Sequence, residues 1–139
     1  MHDFELDSRL HNDCEMVLDW PLCRVLLMRD ARYPWFILVP RRAQLRELCQ
    51  LSDDDYAQFG RESRRLSQYL LDSTGAPKLN VAALGNVVAQ LHVHHIARFH
   101  DDDAWPGPVW GVAPPRPYDD ETLTELLTMA RQQLPFDQA

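Results

Sequence analysis

Four of the six histidines in this 139-residue chain fall between His92 and His100. Imidazole titrates closest to neutrality of any side chain, so such crowding can serve a base, a nucleophile or a metal site. If residues 89–99 run as a strand, Gln90, His92 and His94 share one face, while Leu91, Val93 and His95 share the other. Two adjacent imidazoles on one face each bring a donor and an acceptor that must be satisfied. Three chemistries fit. The rings can belong to a hydrogen-bonded, partly exposed sheet edge. The HxH pair can present two nitrogens to zinc, which needs a third ligand, and no Cys or acid stands at a suggestive short spacing. Finally, one neutral imidazole can attack phosphorus while its neighbour orients it or serves the leaving group.

The surrounding elements must position these rings. Phe4, Leu6 and Leu10 among charges predict a short helix over 4–11, followed by a strand near Glu15–Asp19 that Trp20-Pro21 breaks. Leu22–Met28 and Trp35–Val39 are apolar, too short for helices, and joined by RDARYP, whose Asp30 and Pro34 suit a turn; they read as a β-hairpin. Ala43–Gln50 reads as one or two helical turns. Ser52 with Asp53, Asp54 and Asp55 marks the start of a long helix that Gly75-Ala76-Pro77 stops. Two further strands are expected over 78–84 and 89–99, with Gly85-Asn86 as the turn between them. Five of the ten prolines lie between Pro106 and Pro117, which predicts an extended surface segment anchored by Trp105 and Trp110. A last amphipathic helix starts near Asp119. Hairpins with segregated helices indicate an α+β fold with an antiparallel sheet.

Composition narrows the function. Twenty-one acids against fourteen Lys plus Arg give a net charge of −7, which argues against polymeric nucleic acid as partner. Apolar runs are too short for a membrane span, and the acidic N-terminus lacks the basic start of a secretory signal. Cys14, Cys23 and Cys49 suggest neither a disulfide framework nor a zinc site. A cytoplasmic protein is expected. Arg41-Arg42 is too short a basic patch for nucleic acid, and Asp101–Asp103 reads as a solvated loop.

The run GNVVAQLHVHHIAR, residues 85–98, resembles the signature of the histidine triad (HIT) superfamily, His-φ-His-φ-His-φ-φ with φ apolar. That signature is often preceded by Gly-Gln-(Ser/Thr)-Val and followed by a Pro-Arg-like pair. Starting the triad at His92 puts Ile96 in the third place. Starting at Gln90 makes His92 the middle position and His94 the last, and it also aligns Gly85-Asn86 and Ile96-Ala97-Arg98. PWFILVPRR resembles the family's second hairpin strand, and the order of elements agrees from Cys14 to Arg98. LNVAALGN and AWPGPVWG look like a bacterial branch of small HIT proteins.

The resemblance implies a HIT-like α+β fold with an antiparallel sheet of about five strands, one long helix and a C-terminal helix. One domain would occupy 1–139, its core at about 14–100 and a proline-rich segment and helix at 101–139. The implied activity is hydrolysis or nucleotidyl transfer at the α-phosphate of small adenosine-type nucleotides, such as dinucleoside polyphosphates or nucleoside phosphoramidates. His92 maps to the nucleophile and His94 to the residue at the phosphate or leaving group. Asn86 and Gly85 map to the phosphate contact, Asn80 to an Asn near the nucleotide, and Asp30 to an acid that meets the ribose. Asp30 serves equally well as a turn former. No metal or cofactor is required, and a homodimer is implied.

Four positions depart from the pattern. Gln90 replaces the first histidine, Val87 a Ser or Thr, and Ala43 a histidine, while His95 takes a normally apolar place facing away from the triad. Each loss removes an aid to catalysis, so the alternative is a nucleotide-binding module with weak or no chemistry.

Overall fold

The computed structural model describes residues 3–136. Its elements are α1 (Ser8–Asp13), β1 (Cys14–Asp19), β2 (Cys23–Met28), β3 (Trp35–Pro40), α2 (Asp53–Thr74), β4 (Lys78–Ala82), β5 (Val93–Arg98) and α3 (Asp120–Gln133). The strands form one antiparallel sheet in the order β1-β2-β3-β5-β4, so the fold is α+β. No helix among the described residues is long and apolar enough to cross a membrane.

The hairpin forms as its sequence predicts, with Val25 opposite Leu38 and Leu27 opposite Phe36. β2 and β3 sit inside the sheet with both faces covered, which explains their near-continuous apolar runs. One face buries Val25, Leu27, Leu38, Val93 and Ala97 against Phe59, Leu66 and Leu70 of α2 and Ala130 of α3. The other gathers Leu26, Trp35, Ile37 and Ile96 beneath Leu10 of α1 and Val109 of the proline-rich segment.

α2 begins where Ser52 accepts the Asp55 N–H at 3.2 Å, with three Asp residues in its first turn. Gly75 ends it in the left-handed region at φ 69°, a conformation that glycine adopts without Cβ strain. Midway along, the buried Glu62 carboxylate accepts the backbone N–H groups of Leu22 at 2.9 Å and Cys23 at 2.7 Å, tying α2 to the start of β2.

Several expected boundaries move. The N-terminal helix starts only at Ser8, because residues 3–7 run outside it and bond to Gln90. Residues 43–50 hold a single 3₁₀ turn at Leu48–Gln50. β4 stops at Ala82 and β5 starts at Val93, so the expected tight turn at Gly85-Asn86 is part of a longer connection, 83–92. There the Leu91 N–H donates to the Leu45 carbonyl rather than to a sheet ladder. Gln90 and His92 therefore precede β5 and do not belong to a strand running from 89.

The acidic loop is not merely solvated. Asp102 accepts the Arg98 guanidinium at 2.7 and 3.0 Å, and its oxygens also accept the N–H groups of Phe99, Ala104 and Trp105. Arg98, 1% exposed, is completed by Asn80 Oδ1 and the Gly107 carbonyl. This cluster turns the chain after β5 back over the sheet.

Removing one partner of a buried pair costs about 3–5 kcal/mol, because the other charge is left uncompensated. Asp102→Ala should lose that much in denaturant unfolding, whereas Asp19→Ala, from the more exposed pair with Arg24, should lose about 1 kcal/mol or less. The Arg98 hydrogen bonds hold the Asp102 carboxyl down at about 2, against about 3.9 in an unfolded chain. The unfolded chain takes up this proton first as pH falls. The pair's contribution is thus complete above roughly pH 5 and drains away toward pH 2, a slope the alanine variant should lack.

Candidate active site

β5 and the residue pair before it bring two imidazoles together. The His92 and His94 rings lie 4.9 Å apart between centroids at 73°, and both are buried, at 6% and 4% exposure. They open on a pocket of ≈ 280 Å³ that Gly85, Asn86, Val87 and Val88 line from one side and Arg9, Asn12 and Asp13 of α1 line from another. The loop can curl around this space because Gly85 takes φ 66°.

Hydrogen-bond partners fix which nitrogen of each ring carries the proton. His92 Nδ1 lies 2.6 Å from the Gln90 carbonyl oxygen. A carbonyl only accepts, so Nδ1 is protonated, and in the neutral ring Nε2 keeps the lone pair. His94 is the reverse: its Nδ1 accepts the Trp35 indole N–H at 3.0 Å, so in the neutral ring the proton sits on Nε2. Neighbouring imidazoles therefore carry opposite tautomers, one free nucleophilic nitrogen beside one N–H donor. Burial, with His92 and His95 beside it, pushes His94 down to about 3, so its ring is neutral at neutral pH. It can donate a hydrogen bond to an anion, but losing that proton would leave an imidazolate.

His95 points to the other face, as the alternation requires. Its Nδ1 donates to the Val93 carbonyl at 3.0 Å and its Nε2 accepts the Ser63 hydroxyl at 2.7 Å, which ties β5 to α2. Burial lowers it to about 4. His100 packs against Trp105, with centroids 4.7 Å apart.

Other expected site residues lie elsewhere. The Gln90 side chain turns away from the pocket; Oε1 accepts the Asp7 N–H and Nε2 donates to the Glu5 carbonyl, both at 2.8 Å. Its backbone, rather than its amide, serves His92. Asn80 faces the sheet side that carries Ile96, but its Oδ1 accepts the Arg98 guanidinium at 2.7 Å and it does not line the pocket. Asp30 is 2% exposed, and both carboxylate oxygens are taken by the Arg32 guanidinium at 3.0 and 2.8 Å. One of them also accepts the Arg32 and Arg116 N–H groups, so the turn-forming role is filled and no oxygen is left without a partner.

Asp30 does line a second cavity of ≈ 320 Å³, together with Trp35, Val109 and Trp110, and Asn12, Asp13 and Met28 border both cavities. Trp110 stacks edgewise on His94 at 5.0 Å and on Trp35 at 5.9 Å. It is a packing anchor, as its sequence suggested, but one that packs on the site. Sequence reasoning missed Trp35, Arg9, Asn12 and Asp13. The signal for Trp35 was its place two residues before Ile37, which faces His94 across the ladder; for α1 there was none. Among the described residues, no three His, Cys, Asp or Glu side chains converge as a metal site.

The five-stranded antiparallel sheet with its helices agrees with the comparisons. The HIT domain family matches residues 9–101, and the chain belongs to that family. It is 44% identical to a histidine triad protein from Bradyrhizobium japonicum, covering 95% of this chain and 98% of that one with a TM-score of 0.92. A histidine triad protein from Marinobacter aquaeolei is also 44% identical, over 96% and 97% of the two chains, at TM-score 0.93. One from Sinorhizobium meliloti is 42% identical over 94% and 97%, at 0.91. Among the curated proteins no match is found.

Nitrogen-15 NMR should show His94 protonated on Nε2 and His92 on Nδ1, with neither His94 nor His95 titrating between pH 8 and pH 5. Trp35→Phe removes the indole N–H and should let His94 populate both tautomers. Below about pH 6.5 an unfolded chain protonates these two rings while the native state does not. Stability should accordingly fall with pH from that point downward, by the linkage of proton uptake to unfolding.

Proposed function

We propose that the protein is a nucleotide hydrolase or nucleotidyl transferase that attacks the α-phosphate of a small nucleotide with His92. The opposed tautomers carry this reading: one free Nε2 lone pair beside an N–H donor, both facing an open pocket. In the first step His92 Nε2 bonds to phosphorus, and the bond to the leaving group breaks with its electron pair going to that group. The imidazolium formed keeps its Nδ1–H on the Gln90 carbonyl, which favours the developing positive charge. Water then attacks the same phosphorus, the N–P electron pair returns to Nε2, and the proton of water passes to solvent. Hydroxyl-bearing acceptors in place of water would give transfer.

The phosphate oxygens are met by neutral donors: the His94 Nε2–H, the Asn86 side chain and the exposed backbone of Gly85. In a partly dry pocket such fixed dipoles stabilise developing charge without a metal. The second cavity, lined by Trp35 and Trp110 together with Arg29 and Arg32, has the size for a nucleoside. Asp30 is committed to Arg32, which turns the ribose contact toward Asn12 or Asp13 at the junction of the two cavities.

One observation favours the rival reading, a nucleotide-binding module with little chemistry. The Gln90 amide is engaged with the N-terminal segment and Val87 has no hydroxyl, so no group in the pocket is arranged to hand a proton to the leaving group. We further propose a homodimer, for which the edge strand β4 offers an unpaired ladder beside the exposed Val81; sedimentation of the purified chain tests it.

Incubation with adenosine 5′-phosphoramidate and with diadenosine polyphosphates should release AMP, and mass spectrometry of quenched enzyme should find an adenylyl group on His92. His92→Ala should lose at least about a thousandfold in kcat/KM, as expected when a covalent nucleophile is removed. Binding of AMP without turnover or adduct would instead select the binding module.

A further inference from the structure

The histidine pocket has a direction. Trp35 and Trp110 line only the neighbouring cavity, Asn12 and Asp13 line both, and Arg9 and Val87 line only the pocket of His92 and His94. A nucleoside seated against the indoles places its α-phosphate at the histidines. Whatever the α-phosphate carries then extends toward Val87 and Arg9.

Arg9 is the sole cationic side chain lining that end among the described residues. Its Nη1 donates to the Val87 carbonyl at 3.0 Å, and it makes no ion pair among the described residues. A guanidinium has five N–H donors in a planar fork, so most remain for a phosphate. Asp13, one turn further along α1, borders both cavities and makes no ion pair with Arg9. The chain that carries Arg9 is pinned twice. Gln90 grips Glu5 and Asp7 through both ends of its amide, and the Asp7 carboxylate caps α1 by accepting the Arg9 N–H at 2.8 Å.

We infer that Arg9 is a specificity-determining residue that binds the phosphate beyond the one attacked, so that the pocket selects nucleotides bearing a polyphosphate chain over those bearing an amine. This rests on the nucleotide reading above. Chemistry agrees with placement. When His92 Nε2 bonds to the α-phosphorus, the Pα–O bond breaks and its electron pair departs on the distal phosphate. A guanidinium stabilises that charge with no proton transferred. An amine leaving group needs a proton, and neither Val87 nor the neutral His94 ring supplies one readily.

Calorimetric titration with AMP and ADP isolates the distal phosphate. A charge-assisted hydrogen bond predicts that the native protein binds ADP about 10- to 100-fold tighter than AMP. Arg9→Ala should collapse that ratio, and Arg9→Lys should restore part of it, with thermal unfolding confirming that both variants are folded. A ratio near one in the native protein, a ratio that survives in Arg9→Ala, or no binding of either nucleotide overturns the inference. An Arg9-dependent ratio without His92-dependent turnover upholds it while sinking the hydrolytic reading; His92-dependent turnover with an Arg9-independent ratio does the opposite.

Discussion

β5 is buried along its whole length, yet three of its six residues are His94, His95 and Arg98. A buried polar group without a partner costs on the order of 1–3 kcal/mol, and more if charged. Satisfying this one strand organises much of the molecule. Trp35 on β3 donates to His94, Ser63 on α2 donates to His95, and Arg98 gathers Asn80 from β4 with Asp102 and Gly107 from the loop beyond. Three neighbouring elements and a loop are thereby fixed relative to one strand. The loop so fixed carries Val109 and Trp110 onto the sheet, which builds the cavity wall beside His94.

That dependence explains what could be read in the sequence. The hairpin of β2 and β3 and the capped helix α2 follow from local patterning: short apolar runs, a turn with Asp30, Ser52 before three acids, Gly75 at the end. His92 and His94 stood out because two imidazoles two residues apart are hard to place by packing. What escaped was every role set by a distant partner. Gln90 reads like a strand residue but is held by Glu5 and Asp7, some 83 to 85 positions away. Asp102 reads like a surface acid until Arg98 turns inward. Asp30 and Asn80 have the right chemistry for a ligand, yet each is consumed by an arginine, and no local pattern reveals which arginine that will be.

The net charge of −7 acquires a different weight at this scale. It disfavours a long polyanion laid along the surface, where many phosphates would meet many carboxylates. A pocket is governed by its lining, and this one presents two imidazoles, two side-chain amides and one guanidinium beside a single carboxylate, Asp13. Screening over roughly 8 Å at physiological ionic strength separates the two situations.

Opposite tautomers also mean that the two histidines cannot exchange roles. Moving the proton of His92 to Nε2 would face two acceptors at the Gln90 carbonyl, and moving that of His94 to Nδ1 would face two donors at the Trp35 indole. Each swap leaves a buried group unpaired, so which ring presents a lone pair and which an N–H at Nε2 is built into the packing. A neutral His94 has a further consequence. Neutral donors hold a ground-state phosphate only modestly and gain strength as charge builds on its oxygens, the differential on which rate depends. A permanent cation beside the attacked phosphorus would bind substrate and product alike. The one guanidinium lining this pocket, Arg9, is instead tied to the Val87 carbonyl at 3.0 Å.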